Sequence, residues 1–116
     1  MSFADYHTTF PELASDGSNW IVWKARMKIL IGVEGLSHII DDSTTPPTKL
    51  EPLTGTATAA EVAMFNTASE EYWEFKHSDA VVKHLIVSTI SDYLLLKNIR
   101  HTTASSLWEA ICVEHE

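Results

Sequence analysis

The sequence predicts an all-α protein, a compact bundle of about five helices with a long Thr/Pro loop between the first and second major helices. Three observations favour this class. Apolar residues recur at helical spacing in several stretches, and polar residues able to cap a helix precede those stretches. The chain has 116 residues, 45% of them hydrophobic, which is enough for one modest core and too little for two.

The first major helix is predicted over residues 20–31, directly after a polar turn. Asp16, Ser18 and Asn19 can each accept a hydrogen bond from a free backbone N–H at the start of a helix. Gly17 permits the bend that precedes the helix. At about 100° per residue, one stripe of this helix is entirely apolar and is expected to face the core. The stripe consists of Trp20, Trp23, Met27, Leu30 and Ile31.

A second face of the same helix is also apolar, and it is the candidate surface for self-association. A helix that is half exposed in a soluble monomer has no use for apolar residues on the side away from its core. This face is therefore expected either to pack inside the domain or to contact a partner. Its residues are Ile21, Val22, Ala25 and Ile29.

The N-terminal segment carries few helix signals. Residues 1–14 are expected to form a partly ordered N-terminal arm that is held by Phe10 and Leu13. That state is favoured over exchange of the arm between neighbouring subunits. Residues 15–116 form the predicted helical lobe.

A long loop is predicted over residues 41–58, after one further helical turn at residues 36–40. The loop is rich in Thr and Pro, and Pro lacks the N–H donor that a helix requires. Because loops of this length are usually either functional or disordered, this one is expected to be mobile and to bind no ligand.

The second major helix is predicted to begin after Thr58, which has the spacing to form a capping box with Glu61. Residues 80–90 are apolar on nearly all sides and are expected to be the buried centre of the domain. The pattern leaves open whether one helix continues through residues 77–79 or a polar side chain there caps a new helix.

Two shorter helices are predicted to complete the lobe. One opens at Ser91 and ends near Asn98, and the last is capped by Thr103. The last helical pattern reaches Glu116 without a stop signal, so the lobe is expected to be cut from a longer chain. Each tryptophan lies on the main apolar stripe of its helix and is expected to be more than half buried in one core. These core anchors are Trp20, Trp23, Trp73 and Trp108.

Charge and cysteine content disfavour several classes of function. Sixteen acidic residues against eight Lys and Arg give a formal net charge of -8, which opposes a general electrostatic grip on nucleic acid or anionic membranes. The local basic stretch of Lys24, Arg26 and Lys28 is expected to be solvated. Cys112 is the sole cysteine, so the chain can form neither an internal disulfide nor a multi-cysteine zinc site. With no signal peptide and no apolar run of membrane-spanning length, the protein is expected to be cytoplasmic.

No arrangement in the sequence supports an enzyme, and no cofactor or metal is expected. Glu74 and His77 have the spacing of two metal ligands on one helical face, but a di-iron bundle needs further carboxylates, so a solvated acidic face is preferred. Cys112 has apolar neighbours, among which a thiol is usually a small buried group of raised pKa. The sequence has no Gly-rich phosphate loop, no Gly-x-Ser-x-Gly elbow and no Cys-x-x-Cys pair.

Three ordered blocks of residues carry a resemblance to a known family. The first block is the Gly-Ser-Asn-Trp turn at residues 17–20, followed by Trp23, Met27 and Leu30. The second is Trp73, Asp79, Ala80, Ile86 and Ile90, and the third is Thr103, Ala104, Leu107 and Trp108. The residues between the first two blocks also fit, namely Gly35, Leu36, His38, Ile39, Pro46 and Pro47. Together the blocks resemble the N-terminal capsid (Gag) region of Ty1/copia-type LTR retrotransposons.

That resemblance implies an all-α capsid lobe, which in the family builds a virus-like particle shell around the element's RNA. The chain is then expected to be a structural, non-enzymatic lobe that associates with itself, within a Gag polyprotein or as a domesticated Gag-like protein. Weak or no nucleic-acid binding by this segment, and no membrane binding, are expected. The alternative is a domesticated adaptor module that binds a peptide from a host partner. Either function would use the second apolar face of the first helix.

Overall fold

The computed structural model describes residues 10–41 and 46–116, and these residues form an all-α structure. The elements are α1 (Trp20–Val33), a short 3₁₀ helix (Ser37–Ile39), α2 (Ala59–Val87), α3 (Asp92–Lys97) and α4 (Ala104–His115). The all-α class is confirmed. A fifth α-helix is not seen in this part of the chain, and the further turn expected after α1 is the 3₁₀ helix.

The chain enters the core before its first helix begins. Leu13 is fully buried and pairs with Ile90 in an isolated parallel β-bridge. Phe10 packs edge-on against Trp23, with the ring centroids 6.4 Å apart. The predicted anchoring by Phe10 and Leu13 is confirmed, and the rest of the predicted arm, residues 1–9, lies outside the described residues.

α1 begins at Trp20 as predicted, but without the predicted side-chain cap. Asn19 occupies the N-cap position and makes no side-chain hydrogen bond to the helix. Its amide oxygen instead accepts from the Ala14 N–H, and its amide nitrogen donates to the Glu12 carbonyl, both at 2.9 Å. Asp16 accepts a bond from a backbone N–H inside the turn. The predicted capping is therefore wrong, because these side chains tie the turn together and hold it to the preceding segment.

Trp23 lies at the centre of a core that joins α1, the C-terminal half of α2, α3 and α4. Its ring stacks on Trp20 and Trp108, with centroids 5.8 and 5.9 Å apart. Its Nε1–H donates to the Thr89 carbonyl at 3.1 Å. The predicted apolar stripe of α1 is buried throughout. The core residues are Leu13, Trp20, Trp23, Met27, Leu30, Ile31, Ile39, Val82, Leu85, Ile86, Ile90, Leu94, Ala104, Leu107, Trp108 and Ile111.

α2 is one helix of 29 residues that continues through residues 77–79. Thr58 and Glu61 form the predicted capping box at its N-terminus. Buried residues are confined to its C-terminal half, where the helix packs against α4. Ala80 lies on the side of α2 away from the core and is exposed. The segment of residues 80–90, which was predicted to be buried on nearly all sides, is therefore buried on one side only.

Asp79, which could have capped a new helix, instead lies inside the continuous helix α2. Its carboxylate is buried and accepts from the Ala104 backbone N–H at 2.9 Å, so it stabilises the start of α4. Thr103 supplies the predicted N-cap of α4 by accepting from the Ser106 N–H at 3.1 Å. Ser91 caps α3 in the same way, again as predicted.

Trp73 is the one predicted core anchor that the core does not contain. Its side chain is 58% exposed, and the Lys49 ammonium lies 5.6 Å from its ring centroid. Val82 follows Trp73 by nine residues, about two and a half helical turns, so the two side chains leave opposite sides of α2. The prediction was wrong because the apolar stripe of the first half of α2 does not continue into the buried stripe of the second half.

The Thr/Pro loop is irregular in its described part. Residues 46–58 contain neither helix nor strand, as predicted, and residues 42–45 lie outside the described residues. Pro47 lines a shallow depression together with Phe75, which places this part of the loop beside α2. The mobility of the loop stays a prediction.

Candidate self-association surface

The side of α1 that points away from the core is apolar and open to solvent. Ile21 is 81% exposed, Ile29 is 67% exposed and Val22 is 53% exposed. Ala25 is exposed between them. All four predicted residues therefore lie together on one face. The opposite stripe of α1 is engaged in the core, so the helix cannot turn to bury this face without losing Trp23 and its neighbours.

Val33 extends this surface, which we call the α1 outer face (Ile21, Val22, Ala25, Ile29 and Val33). Val33 is 60% exposed and lies one helical turn after Ile29. The sequence prediction missed it because the helix was expected to end at residue 31. A signal was present, since an apolar residue four positions after Ile29 continues the same face. From Ile21 to Val33 the outer face is about 18 Å long.

Two cations border the α1 outer face, one on each edge. Arg26 and Lys28 are exposed, and neither forms an ion pair with a described residue. Lys24, on the core side, is different. It pairs with Glu116, whose hydrogen bond raises the pKa of Lys24, and its ammonium lies 5.6 Å from the Trp20 ring centroid. The α1 outer face is thus an apolar strip with an exposed cation along each side.

The N-terminal half of α2 is a second exposed surface. Residues 59–74, which we call the α2 extension, contribute no side chain to the buried core. Met64 is 73% exposed and Val62 is 40% exposed, whereas Phe65 and Tyr72 are half-buried. A shallow groove runs along one side of the extension. It is lined by Ala63, Met64, Thr67, Ala68 and Glu71.

The α2 extension carries negative charge. Glu70, Glu71 and Glu74 are exposed, and none of them forms an ion pair with a residue that the structure describes. No Lys or Arg occurs in α2 before Lys76. One chain therefore carries exposed acids on the extension and exposed cations along the α1 outer face.

A third apolar patch lies on α3 and the turn that follows it. Tyr93 is 60% exposed, and Leu96 and Ile99 are each 68% exposed. Lys97, at the centre of the patch, pairs with Glu114, whose hydrogen bond raises the pKa of the lysine. The central charge of this patch is thus already matched within the chain.

Titratable side chains are scattered in the part of the chain that the structure describes. No three potential metal ligands lie together there. Cys112 is half-buried, and burial raises the pKa of its thiol, as its apolar neighbours predicted. None of the described helices combines the length and the apolarity that crossing a bilayer requires.

Comparisons of the chain with protein-family models, with curated proteins and with solved structures return no match.

Proposed function

We propose that this chain is a structural, non-enzymatic lobe that associates with copies of itself through the α1 outer face. The observation that carries the proposal is an apolar strip about 18 Å long on a helix whose other side is locked in the core. Covering such a strip gains roughly 25 cal/mol for each Å² of apolar surface removed from water. A monomer leaves that free energy unused, whereas a complex of copies recovers it.

The resemblance to Ty1/copia-type Gag suggests what this association builds, namely a virus-like particle shell around retrotransposon RNA. Trp20, Trp23 and Trp108, which belong to the resembling blocks, are buried. In this proposal such residues maintain the lobe, while the α1 outer face joins one lobe to the next. Because the chain has a formal net charge of -8, contact with RNA is assigned to other segments of a Gag polyprotein.

The net charge predicts how self-association responds to salt. Consider two copies of the chain, each with a net charge of -8, whose centres lie about 30 Å apart, close to the middle dimension of 31 Å. Their electrostatic repulsion is roughly 3 kcal/mol at about 10 mM salt and roughly 0.2 kcal/mol at about 150 mM salt. Association should therefore strengthen as salt rises over this range. Binding of nucleic acid would respond in the opposite direction, because salt competes with phosphate contacts.

Sedimentation velocity over a range of protein concentrations at low and high salt tests the proposal. The native chain should form larger species, and Ile29→Glu should abolish them, because a charge placed in the α1 outer face cannot be buried unpaired. Leu96→Glu is the matched control, since Leu96 is 68% exposed against 67% for Ile29 and the charge change is the same. Circular dichroism establishes that both variants remain folded.

Two outcomes contradict this proposal. If the native chain stays monomeric at every salt and at high concentration, the shell-lobe function fails for this chain, and the adaptor that binds a host peptide takes its place. If Leu96→Glu disrupts association as strongly as Ile29→Glu, the effect of an added charge is not specific to the α1 outer face, and the assignment of the contact to that face fails.

A further inference from the structure

The α1 outer face requires a surface to bind, and the α2 extension has the complementary charge and shape. We infer that the α1 outer face of one copy docks on the α2 extension of a second copy. This inference rests on the proposed self-association and names its second surface.

Charge is the first reason. Arg26 and Lys28 border the α1 outer face, and both are exposed without an ion pair to a described residue. The extension presents Glu71 and Glu74, which are also exposed and form no ion pair with a described residue. Docking one surface on the other places cations beside carboxylates at the rim of an apolar contact, which orients the two copies and disfavours other pairings.

Shape is the second reason. The α1 outer face presents a ridge of branched side chains, including Ile21 and Ile29. The groove of the extension is lined by Met64, Glu71 and three small side chains, so another helix can approach the small side chains closely. The extension, residues 59–74, spans about 22 Å along the helix axis, and its groove, residues 63–71, spans about 12 Å. The extension is therefore long enough to receive the whole α1 outer face, which is about 18 Å long.

The packing of α2 also points to a partner on the extension. At the end of the extension nearest the core, Lys49 of the loop lies over the Trp73 ring. The segment after α1 lies there too, since Gly35, Leu36 and His38 line a depression together with Glu71 and Glu74. Met64, at the far end, remains 73% exposed. Helices gain most of their stability from packing of an apolar side rather than from propensity, and the groove side of the extension has no such packing within the described chain.

A symmetric contact between two α1 outer faces is less favourable. A two-fold axis would bring Arg26 and Lys28 of one copy close to the same residues of the other, and like charges at a contact oppose it. The patch around Leu96 and Ile99 is also a less suitable partner for the α1 outer face. Its central charge is the cation Lys97, which is already paired with Glu114 and cannot attract the cations of that face.

Head-to-tail docking has a consequence for size. Each copy uses one surface to hold the copy before it and another to hold the copy after it, so growth continues until a ring closes or an open chain forms. The mass of the native assembly should therefore exceed twice the 13.0 kDa of the monomer. A symmetric contact would stop at the dimer.

Mixing two defective variants tests the inference directly. Ile29→Glu destroys the α1 outer face and keeps the extension, whereas Met64→Glu destroys the groove and keeps the α1 outer face. Each variant alone should associate at least tenfold more weakly than the native chain. An equimolar mixture should form a 1:1 heterodimer, because the intact extension of the first variant receives the intact α1 outer face of the second. Native mass spectrometry with one isotope-labelled variant measures the stoichiometry.

The results separate this inference from the proposed function. If Met64→Glu associates as the native chain does, or if the mixture forms no heterodimer, head-to-tail docking is overturned, while self-association of the native chain keeps the proposed function. If the native chain does not associate, both fail.

Charge reversal provides a second readout with exposed positions that do not threaten folding. Lys28→Glu and Glu71→Lys should each weaken association of the native chain. Combining both changes in one chain should restore at least part of the loss, because each reversed charge again meets its opposite in the neighbouring copy. Failure of the combined variant to recover any association would overturn the electrostatic pairing that selects the extension as the docking site.

Discussion

The two halves of α2 differ in burial although they belong to one unbroken helix. In the C-terminal half, Val82, Leu85 and Ile86 are fully buried. In the N-terminal half no side chain reaches the core, although Met64 and Trp73 are as apolar as the residues that do. Apolar content therefore does not decide burial along this helix. The placement of the other core elements decides it, since every buried residue of α2 lies in its C-terminal half.

The α2 extension nevertheless remains helical, and the reason is local. The C-terminal half supplies a packed nucleus, and each further residue then adds one hydrogen bond at little cost. The capping box of Thr58 and Glu61 closes the free end. The extension is thus a helix that continues outward from the core and is capped at its free end, with Met64 exposed on one side.

The largest expected loss of stability distinguishes Trp23 from Trp73, both of which the sequence predicted to be core anchors. Trp23→Ala should lower the free energy of unfolding by about 3 to 5 kcal/mol, because it removes a fully buried ring and leaves a cavity. Trp73→Ala should cost at most about 1 kcal/mol, since its ring is 58% exposed. Urea unfolding followed by circular dichroism measures both. Similar losses for the two variants would mean that the extension shares the core's stability.

The next effect tests the buried carboxylate that joins the C-terminal half of α2 to α4. Asp79→Ala leaves the Ala104 N–H without its acceptor inside the protein, which should cost about 1 to 3 kcal/mol. Glu74→Ala, an exposed acid in the extension, should change the free energy of unfolding by less than about 0.5 kcal/mol. Denaturant titration compares the two variants. An Asp79→Ala protein as stable as the native chain would show that Asp79 does not stabilise the start of α4.

A somewhat smaller effect is expected where the start of α1 meets the end of α4. Gly17 has φ of 73°, and a Cβ there would lie 2.5 Å from the Cδ2 of His115, so Gly17→Ala should destabilise by about 2 kcal/mol. Gly35 has the same φ, but a Cβ there would meet no atom within 4 Å. Gly35→Ala should therefore cost only the strain of a positive φ, about 1 kcal/mol. Thermal unfolding of the pair isolates the contact with His115. Equal losses would show that the ring moves aside without cost.

The smallest effect concerns the tip of the extension. Thr58→Ala removes the side-chain bond to the Glu61 N–H and should fray the first turns of α2, at a cost of about 1 kcal/mol or less. Amide hydrogen exchange should show faster exchange confined to the extension, with the amides around Leu85 unchanged. If exchange accelerated equally in both halves, the helix would open as one unit, and the contrast between its halves would be wrong.

The sequence by itself determined most of the helices and most of the core. Thr58 with Glu61, Ser91 and Thr103 mark helix starts because a cap needs only a side-chain oxygen a few residues from free N–H groups, and the structure places a cap at each. The buried stripe of α1 followed from its period alone. The same period places the four predicted residues of the α1 outer face together on the side opposite the buried stripe, and the structure leaves that side exposed; its role in self-association stays a prediction.

Only the tertiary structure decided which apolar side of each helix is covered. Trp73 and Trp23 have similar local patterns, yet one is exposed and the other fully buried, because burial depends on which helices lie nearby. The role of Asp79 is likewise tertiary, since its partner Ala104 lies 25 residues away in the chain. The α2 extension could not be predicted for the same reason. Periodicity shows that a helix has an apolar side, whereas the path of the rest of the chain determines whether that side meets the core or a second molecule.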